Sequence, residues 1–115
     1  MEQLKIVLRV NTSKLLEFKQ TLDHLIEKLQ KDCSILKIKE TNNLQSYTII
    51  MAWETEDQIH RALISNAFSI LSGAITALCE KCTIHLNDKL VGNHMSTMSN
   101  LKIINLNNEN ENKAY

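Results

Sequence analysis

The chain has 115 residues, which is the size of one domain with one modest hydrophobic core. Its 13 basic and 13 acidic residues leave no net charge, so it lacks the basic excess that neutralises nucleic-acid phosphates. No apolar run approaches the roughly 18 residues needed to span a bilayer, and the N-terminal residues alternate instead of forming a signal-peptide core. We therefore expect a cytoplasmic protein without a nucleic-acid or membrane partner.

The first part of the chain predicts a strand, a helix and a second strand. Residues 4–10 alternate apolar and polar side chains with the period of a half-buried strand. Residues 11–13 offer helix-capping side chains, and from Leu15 apolar residues recur at helical spacing over about four turns. Residues 32–34 end that pattern, and residues 36–39 alternate again in a second strand.

The third predicted strand, residues 46–54, is apolar on both faces. One face carries Tyr47, Ile49, Met51 and Trp53, and the other carries Thr48, Ile50 and Ala52. A strand with two apolar faces lies in a sheet that is covered on both sides. Helices can cover one side in the monomer, and we expect the sheet of a second copy to cover the other.

The next segment predicts two helices and a fourth strand. Residues 55–58 fit a capping box, which begins a short helix anchored by Ile59, Ala62 and Leu63. Residues 65–66 restart the pattern, and a second helical stripe runs through Phe68, Leu71, Ile75 and Leu78. Gly73 within it has no side chain, so we expect that another backbone can approach the helix there. Residues 83–86 form the last predicted strand.

The order of elements is strand, helix, strand, strand, helix, strand. With right-handed crossovers this order predicts an α+β, ferredoxin-like βαββαβ fold, an antiparallel sheet with helices on one face. We assign residues 1–92 to this domain and residues 93–115 to a C-terminal extension. The apolar residues of the extension, among them Leu101 and Leu106, predict one more extended segment. We expect its polar end to be disordered.

Three pieces of sequence follow one another at characteristic spacings. They are the opening strand, the stretch TLDHLIEKLQKDCSILKIKE with its cysteine at the start of the second strand, and WETEDQIHRALISNAFSILSGAITAL. In this order they resemble the antibiotic-biosynthesis-monooxygenase-like family, which includes quinol monooxygenases, over about residues 3–90. The resemblance implies a homodimer in which the open sheet faces of two chains meet in a dimeric α+β barrel.

The same resemblance implies oxygenation of a small aromatic or quinol-type compound without metal or flavin. Many members have histidines at the positions that Ala62 and Ala67 occupy here. The haem-degrading branch has tryptophan at the Ala62 position, histidine at the Ser72 position and an asparagine on the first strand, and residues 4–10 contain no asparagine. Haem degradation is therefore disfavoured. The alternative to an enzyme is a non-catalytic module that binds or senses a small molecule on the same barrel.

Four residues are candidates for a site. Trp53 is either a pocket wall for an aromatic ligand, with its indole N–H as a polar handle, or a core residue at the end of a strand. Tyr47 and Phe68 are candidates for further apolar walls. His60, at the flank of the short helix, is a weak candidate for a general base or a polar contact, since histidine titrates near neutral pH. Its alternative is a partly exposed surface residue.

The remaining histidines and cysteines predict structural roles. His24 lies opposite its helical stripe and should face solvent, whereas His85 points away from the core, so we expect it between the two sheets of a dimer. Cys79 and Cys82 have C-x-x-C spacing, but they follow a helix, where the helix dipole has the wrong sign for a reactive thiol. No second pair completes a zinc site, so we predict no metal, and an odd count that includes Cys33 favours reduced thiols.

Overall fold

The computed structural model describes residues 2–41 and 43–92. A single turn of 3-10 helix, Thr12–Lys14, leads into the first helix. The elements in chain order are β1 (Glu2–Val10), α1 (Leu15–Asp32), β2 (Ile35–Glu40), β3 (Ser46–Trp53), α2 (Glu56–Leu63), α3 (Asn66–Leu78), β4 (Cys79–Leu86) and β5 (Lys89–Gly92). The predicted βαββαβ order is confirmed, and the predictions for the extension lie outside the described residues.

The strands form one antiparallel sheet in the order β2-β3-β1-β4-β5. The first four strands have the ferredoxin-like arrangement, and β5 is an additional edge strand that the sequence pattern does not predict. Asn87 and Asp88, with φ of 52° and 68°, form the tight turn between β4 and β5. The Asn87 side chain also accepts a hydrogen bond from the Gln3 backbone N–H at 2.8 Å, so the turn is fixed to β1.

One face of the sheet packs against the helices and holds the core. On β3 this face carries the four residues that the alternation predicted, including Tyr47 and Trp53, each 1% exposed. From α1 it receives Phe18, Leu22, Leu25 and Leu29. Full burial of one such large side chain contributes about 1.5–3 kcal/mol, so these contacts account for the position of α1 along the sheet.

The other face of the sheet, called the open face below, is covered by no described element. It carries Val7, Ile35, Ile50, Ala52 and Leu90, flanked by the longer polar side chains of Lys5, Arg9, Lys37 and Lys39. Val7 is 37% exposed, Ile35 38% and Leu90 58%. The prediction that β3 is largely apolar on both faces is therefore confirmed, and one of those faces is bare in the monomer.

The strand β4 begins at Cys79, four residues before the predicted start. Its register against β1 pairs Lys81 with Arg9 and Cys79 with Val10, which leaves Glu80 as a bulge. Because of the bulge, Cys79 and Cys82 both face the core although they are three residues apart. Burial raises the pKa of Cys79 to about 12 and that of Cys82 to about 11, so both are unreactive packing residues at neutral pH.

The helices α2 and α3 meet at a 61° bend, and Ser65 begins α3 by accepting a hydrogen bond from the Phe68 N–H at 3.2 Å. Gly73 on α3 is exposed, and a Cβ built there would meet no described atom within 4 Å. The predicted close approach of another backbone is therefore absent from the described part of the monomer. No described helix is by itself long and apolar enough to cross a membrane; α2 and α3 meet that test only as a bent pair.

Candidate functional site

A cavity of about 370 Å³ lies beside Trp53, at the end of the helical layer where α1 stops and α2 begins. This volume is within the range of small-molecule sites and is large enough for a compound of one or two rings. The cavity is lined by Lys31, Asp32, Cys33, Ser34, Trp53, Gln58, Arg61 and Ala62. These residues come from three parts of the fold: the end of α1 with the two residues that follow it, the end of β3, and α2.

The start of α2 is fixed beside the cavity by a capping box, as predicted. The Thr55 hydroxyl accepts from the Gln58 N–H at 3.2 Å, and Gln58 Oε1 accepts from the Glu54 N–H at 2.9 Å. Two otherwise unsatisfied backbone donors are thereby satisfied. The Gln58 side chain is held in one orientation, and its Nε2 donates no hydrogen bond to any described residue. Gln58 therefore presents an oriented amide donor to the cavity.

Trp53 forms a wall of the cavity and also belongs to the core. Its side chain is 1% exposed, and its Nε1 donates a 2.7 Å hydrogen bond to the backbone oxygen of Asp32. This bond joins the last residue of β3 to the last residue of α1. The indole N–H is therefore already used, so the polar handle considered in the sequence analysis is not available to a ligand. Because it is buried, Trp53 borders the cavity from the core side and supports its wall from within.

Tyr47 and Phe68, the other two predicted walls, are absent from the cavity lining. Tyr47 lies in the core with its ring centroid 5.1 Å from that of Phe18. Its buried hydroxyl makes no hydrogen bond of 3.5 Å or less to a described residue. Burial, and then the nearby carboxylate of Glu40, raise the pKa of Tyr47. Phe68 is 4% exposed in the first turn of α3. The structure thus brings one of the three predicted wall residues to the cavity.

The three described histidines, His24, His60 and His85, lie outside the cavity lining. His60 is half-buried on α2, next to Arg61, which does line the cavity. Its role as a base stays a prediction. His85 is opposite Lys5 on the open face and His24 is exposed on α1, the positions that their periodicity predicts. Within residues 2–41 and 43–92, no three His, Cys, Asp or Glu side chains are grouped closely enough to hold a metal ion.

The cavity has polar and charged walls around the indole. Arg61 is oriented by its Nε, which donates to the Asp57 backbone oxygen at 3.4 Å. The Cys33 thiol donates to the Leu29 backbone oxygen at 3.1 Å, and burial, followed by the Asp32 charge, raises its pKa. A thiol with a raised pKa is a poor nucleophile at neutral pH. The site therefore offers binding groups and no activated cysteine.

Sequence reasoning missed Lys31, Gln58 and Arg61 as lining residues. A signal was present, because Gln58, Arg61 and Ala62 have the i, i+3, i+4 spacing that places them on one side of a helix. The sequence pattern identifies that side of α2 only through Ala62, its apolar residue. The end of α1 beside it is a tertiary contact, which a helical pattern alone does not locate.

The fold is similar to that of several solved structures. No protein-family model matches the sequence, and no curated protein matches it. An antibiotic biosynthesis monooxygenase matches with a TM-score of 0.68 and 15% identity, covering 76% of this chain and 97% of that one. A conserved protein from Methanosarcina mazei Go1 matches with a TM-score of 0.66 and 20% identity, covering 76% and 91% of the two chains.

A candidate antibiotic biosynthesis monooxygenase from Nitrosomonas europaea gives a TM-score of 0.62 at 13% identity, covering 74% of this chain and 96% of that one. Identities this low show a shared fold. At that level the resemblance to antibiotic-biosynthesis-monooxygenase-like proteins, predicted from residues 3–90, is confirmed.

Proposed function

We propose that this protein is a small monooxygenase that oxidises an aromatic, quinol-type compound in the cavity beside Trp53, without metal or flavin. The observation that carries the proposal is the position of this cavity within a monooxygenase-like fold. Its volume of about 370 Å³ suits a small aromatic molecule, and the cavity lies directly beside the buried indole of Trp53.

The chemistry needs no external reductant. A quinol and O₂ give a hydroxyquinone and water: the O–O bond breaks, one oxygen forms a new bond to a ring carbon, and the other leaves as water. The quinol supplies all four electrons and two of its hydrogens go to that water. The protein's part is to hold the ring and favour its ionised, electron-rich form, because such a substrate reacts with O₂ more readily than the neutral quinol. The cavity lining contains polar and charged side chains that can serve this binding role.

A non-catalytic binding or sensing module is the second candidate, and Ala62 is the observation that favours it. Ala62 is 5% exposed and lines the cavity at a position where the family resemblance implies a histidine in many members. A methyl group there leaves room for a ligand and supplies no proton-transfer group. His60 is the histidine nearest in sequence, and its use as a base is part of the enzymatic proposal only.

Oxygen consumption with a panel of quinols tests the proposal. We expect turnover by the wild type, a clear loss in Trp53→Phe, which changes the cavity wall, and a smaller loss in His60→Ala if the imidazole contributes. Gln30→Ala, an exposed change on α1 away from the lining, is the control. Turnover that ignores the Trp53 change would contradict this site. Saturable quenching of Trp53 fluorescence by quinols without oxygen uptake would establish the binding module instead.

We also propose that two copies form a homodimer through the open face. Its exposed apolar side chains, Val7, Ile35 and Leu90, are what a second sheet would cover, and the family resemblance implies the same arrangement. We expect Ile50→Lys to dissociate the dimer in sedimentation equilibrium. Ile70→Lys is the matched control, since Ile70 is 41% exposed on the helical side. A wild-type monomer at micromolar concentration would contradict the proposal.

A cytoplasmic location and the absence of nucleic-acid, membrane and cofactor partners stay predictions from composition and resemblance. They are compatible with an enzyme whose only partners are a small aromatic compound and a second copy of itself.

A further inference from the structure

The cavity carries more positive than negative charge although the chain as a whole is neutral. Lys31 approaches it from the last turn of α1 and Arg61 from α2, and Asp32 supplies its only carboxylate. Two cations against one carboxylate give these lining residues a net charge of +1. The excess is local, so it concerns what enters this cavity rather than the solubility of the protein.

Both cations are available to a ligand. The ion pairs among the described residues join Lys14, Lys19 and Arg9 to carboxylates, and neither Lys31 nor Arg61 takes part in one. The hydrogen bond from Arg61 Nε to a backbone oxygen orients the guanidinium and leaves its terminal N–H groups free of described acceptors. A guanidinium held in this way is a ready partner for an anionic oxygen.

The lining is poor in groups that remove a proton. It contains no histidine, its thiol has a raised pKa, and Asp32 is its single carboxylate. A weakly acidic hydroxyl on a ligand therefore has little help from a general base. The positive charge of the lining lowers the pKa of such a hydroxyl, because cations within a few ångströms stabilise the ionised form of an acid.

We propose that the cavity selects its aromatic ligand as a phenolate: the ring occupies the cavity beside Trp53, and the ionised oxygen is turned toward Arg61, Lys31 and the Gln58 amide. The proposal rests on the function proposed above, because it concerns the same cavity, and it identifies the ionisation state of the substrate. The lining residues then lower the pKa of a bound phenol, and none of them needs to act as its base.

The test uses 4-nitrophenol and its neutral methyl ether, 4-nitroanisole, as probes, with binding followed by quenching of Trp53, the only tryptophan. We expect the phenolate to bind about tenfold more tightly than the ether, because two exposed cations each contribute about a threefold effect. Binding of 4-nitrophenol should strengthen as pH rises through its ionisation. The advantage should shrink in 0.5 M salt by roughly half or more, since exposed charges are screened.

Variants separate charge from shape. Arg61→Gln and Lys31→Gln should each weaken phenolate binding about threefold while leaving the ether unchanged, and Arg61→Lys should retain most of the preference. Lys28→Gln, an exposed change on α1 outside the lining, is the control. Circular dichroism confirms that each variant is folded.

The outcomes distinguish the two proposals. Equal binding of phenolate and ether, or a preference that survives the double Arg61→Gln and Lys31→Gln change, overturns the charge selection and leaves the proposed aromatic site standing. Saturable quenching by neither probe overturns both. A phenolate preference that disappears only in the cavity variants supports the inference, whether or not oxygen is consumed.

Discussion

The two ends of β3 are equally buried and differ in what lies above them. Tyr47 and Trp53 are on the same face of the strand, six residues apart, and each is 1% exposed. Tyr47 packs under Phe18 of α1, with its hydroxyl unsatisfied among the described residues; we call this the closed end. Trp53 lies where α1 has already ended, with its N–H satisfied and open volume beside it; we call this the cavity end.

The difference shows that the boundaries of the helices, rather than the burial of an aromatic residue, decide where a ligand can enter. Both aromatic side chains satisfy the sequence criteria for a pocket wall. The cavity described above lies next to the one at the end of α1, because the chain turns away through Cys33 before covering that part of the sheet.

The largest effect is expected from Trp53→Ala. Removing this side chain takes away buried indole surface and the bond that joins β3 to α1, which should lower the free energy of unfolding by about 3–5 kcal/mol. Urea denaturation followed by circular dichroism measures it, because the variant has no tryptophan to report by fluorescence. A loss below about 1 kcal/mol would mean that the cavity end is supported without Trp53, and the contrast between the two ends would be wrong.

Alkaline pH should act on the core side chains of Tyr47, Cys79 and Cys82. Burial raises the folded-state pKa of the two cysteines from 9.0 to about 12 and about 11, and raises that of Tyr47 above its ordinary value. The stabilisation from their protonated forms is therefore fully present below the unfolded pKa values, and it is lost progressively as pH rises from about 9 until it passes the folded pKa values. We expect a loss of about 2 kcal/mol in unfolding free energy from pH 9 to pH 10.

Urea denaturation at each pH measures this loss, and the double variant Cys79→Ala and Cys82→Ala is the comparison. Its stability will be lower at neutral pH, because two buried side chains are shortened, but its pH dependence above pH 9 should be much flatter. An equally steep dependence in the variant would assign the alkaline loss to other groups.

Ala62→Leu should fill part of the cavity without touching the closed end. We expect the affinity for 4-nitrophenolate to fall about tenfold or more, because the larger side chain occupies the ligand's volume beside Trp53. Ala77→Leu is the matched control, an exposed alanine on α3. If Ala62→Leu remains folded and binds the probe normally, the ligand site lies elsewhere.

The smallest effects are expected from conservative changes, and they should have opposite signs at the two ends. Tyr47→Phe removes a buried hydroxyl that makes no hydrogen bond of 3.5 Å or less to a described residue, which should raise the free energy of unfolding by about 0.5–1 kcal/mol. Trp53→Phe removes a satisfied N–H and buried volume, and should lower it by about 1–2 kcal/mol. Thermal and urea denaturation measure both, and destabilisation by both changes would contradict the difference in hydrogen bonding.

The elements of this fold could be predicted because their signals are local. The capping box at Thr55 and the alternation of β3 each depend on residues that are close together in sequence, and both predictions are confirmed. The early start of β4 was not, because the bulge at Glu80 disturbs the alternation that marks a strand. The fifth strand was missed as well, since its turn uses Asn87 and Asp88 without a glycine.

The candidate site could be predicted only in part, because a cavity is the space that remains between packed elements. No local sequence pattern specifies that space. Trp53 was identified as an aromatic residue at a strand end, which is a local property. Lys31 and Arg61 are brought to the same cavity by the packing of α1 and α2 on the sheet, and their separation in sequence gives no indication of it. Tyr47 has the same local signal as Trp53 but does not line this cavity.

The open surroundings of Gly73 provide a way to measure how two copies are arranged. A cysteine introduced there would carry a spin label into solvent, on the side of the helices opposite the sheet. If the open faces meet, two sheets about 10 Å apart and a helical layer of about 10 Å on each side put the two labels at least about 30 Å from each other. A dimer that pairs through its helices would bring the two labels much closer. One measured distance would therefore distinguish a dimer that pairs through its sheets from one that pairs through its helices.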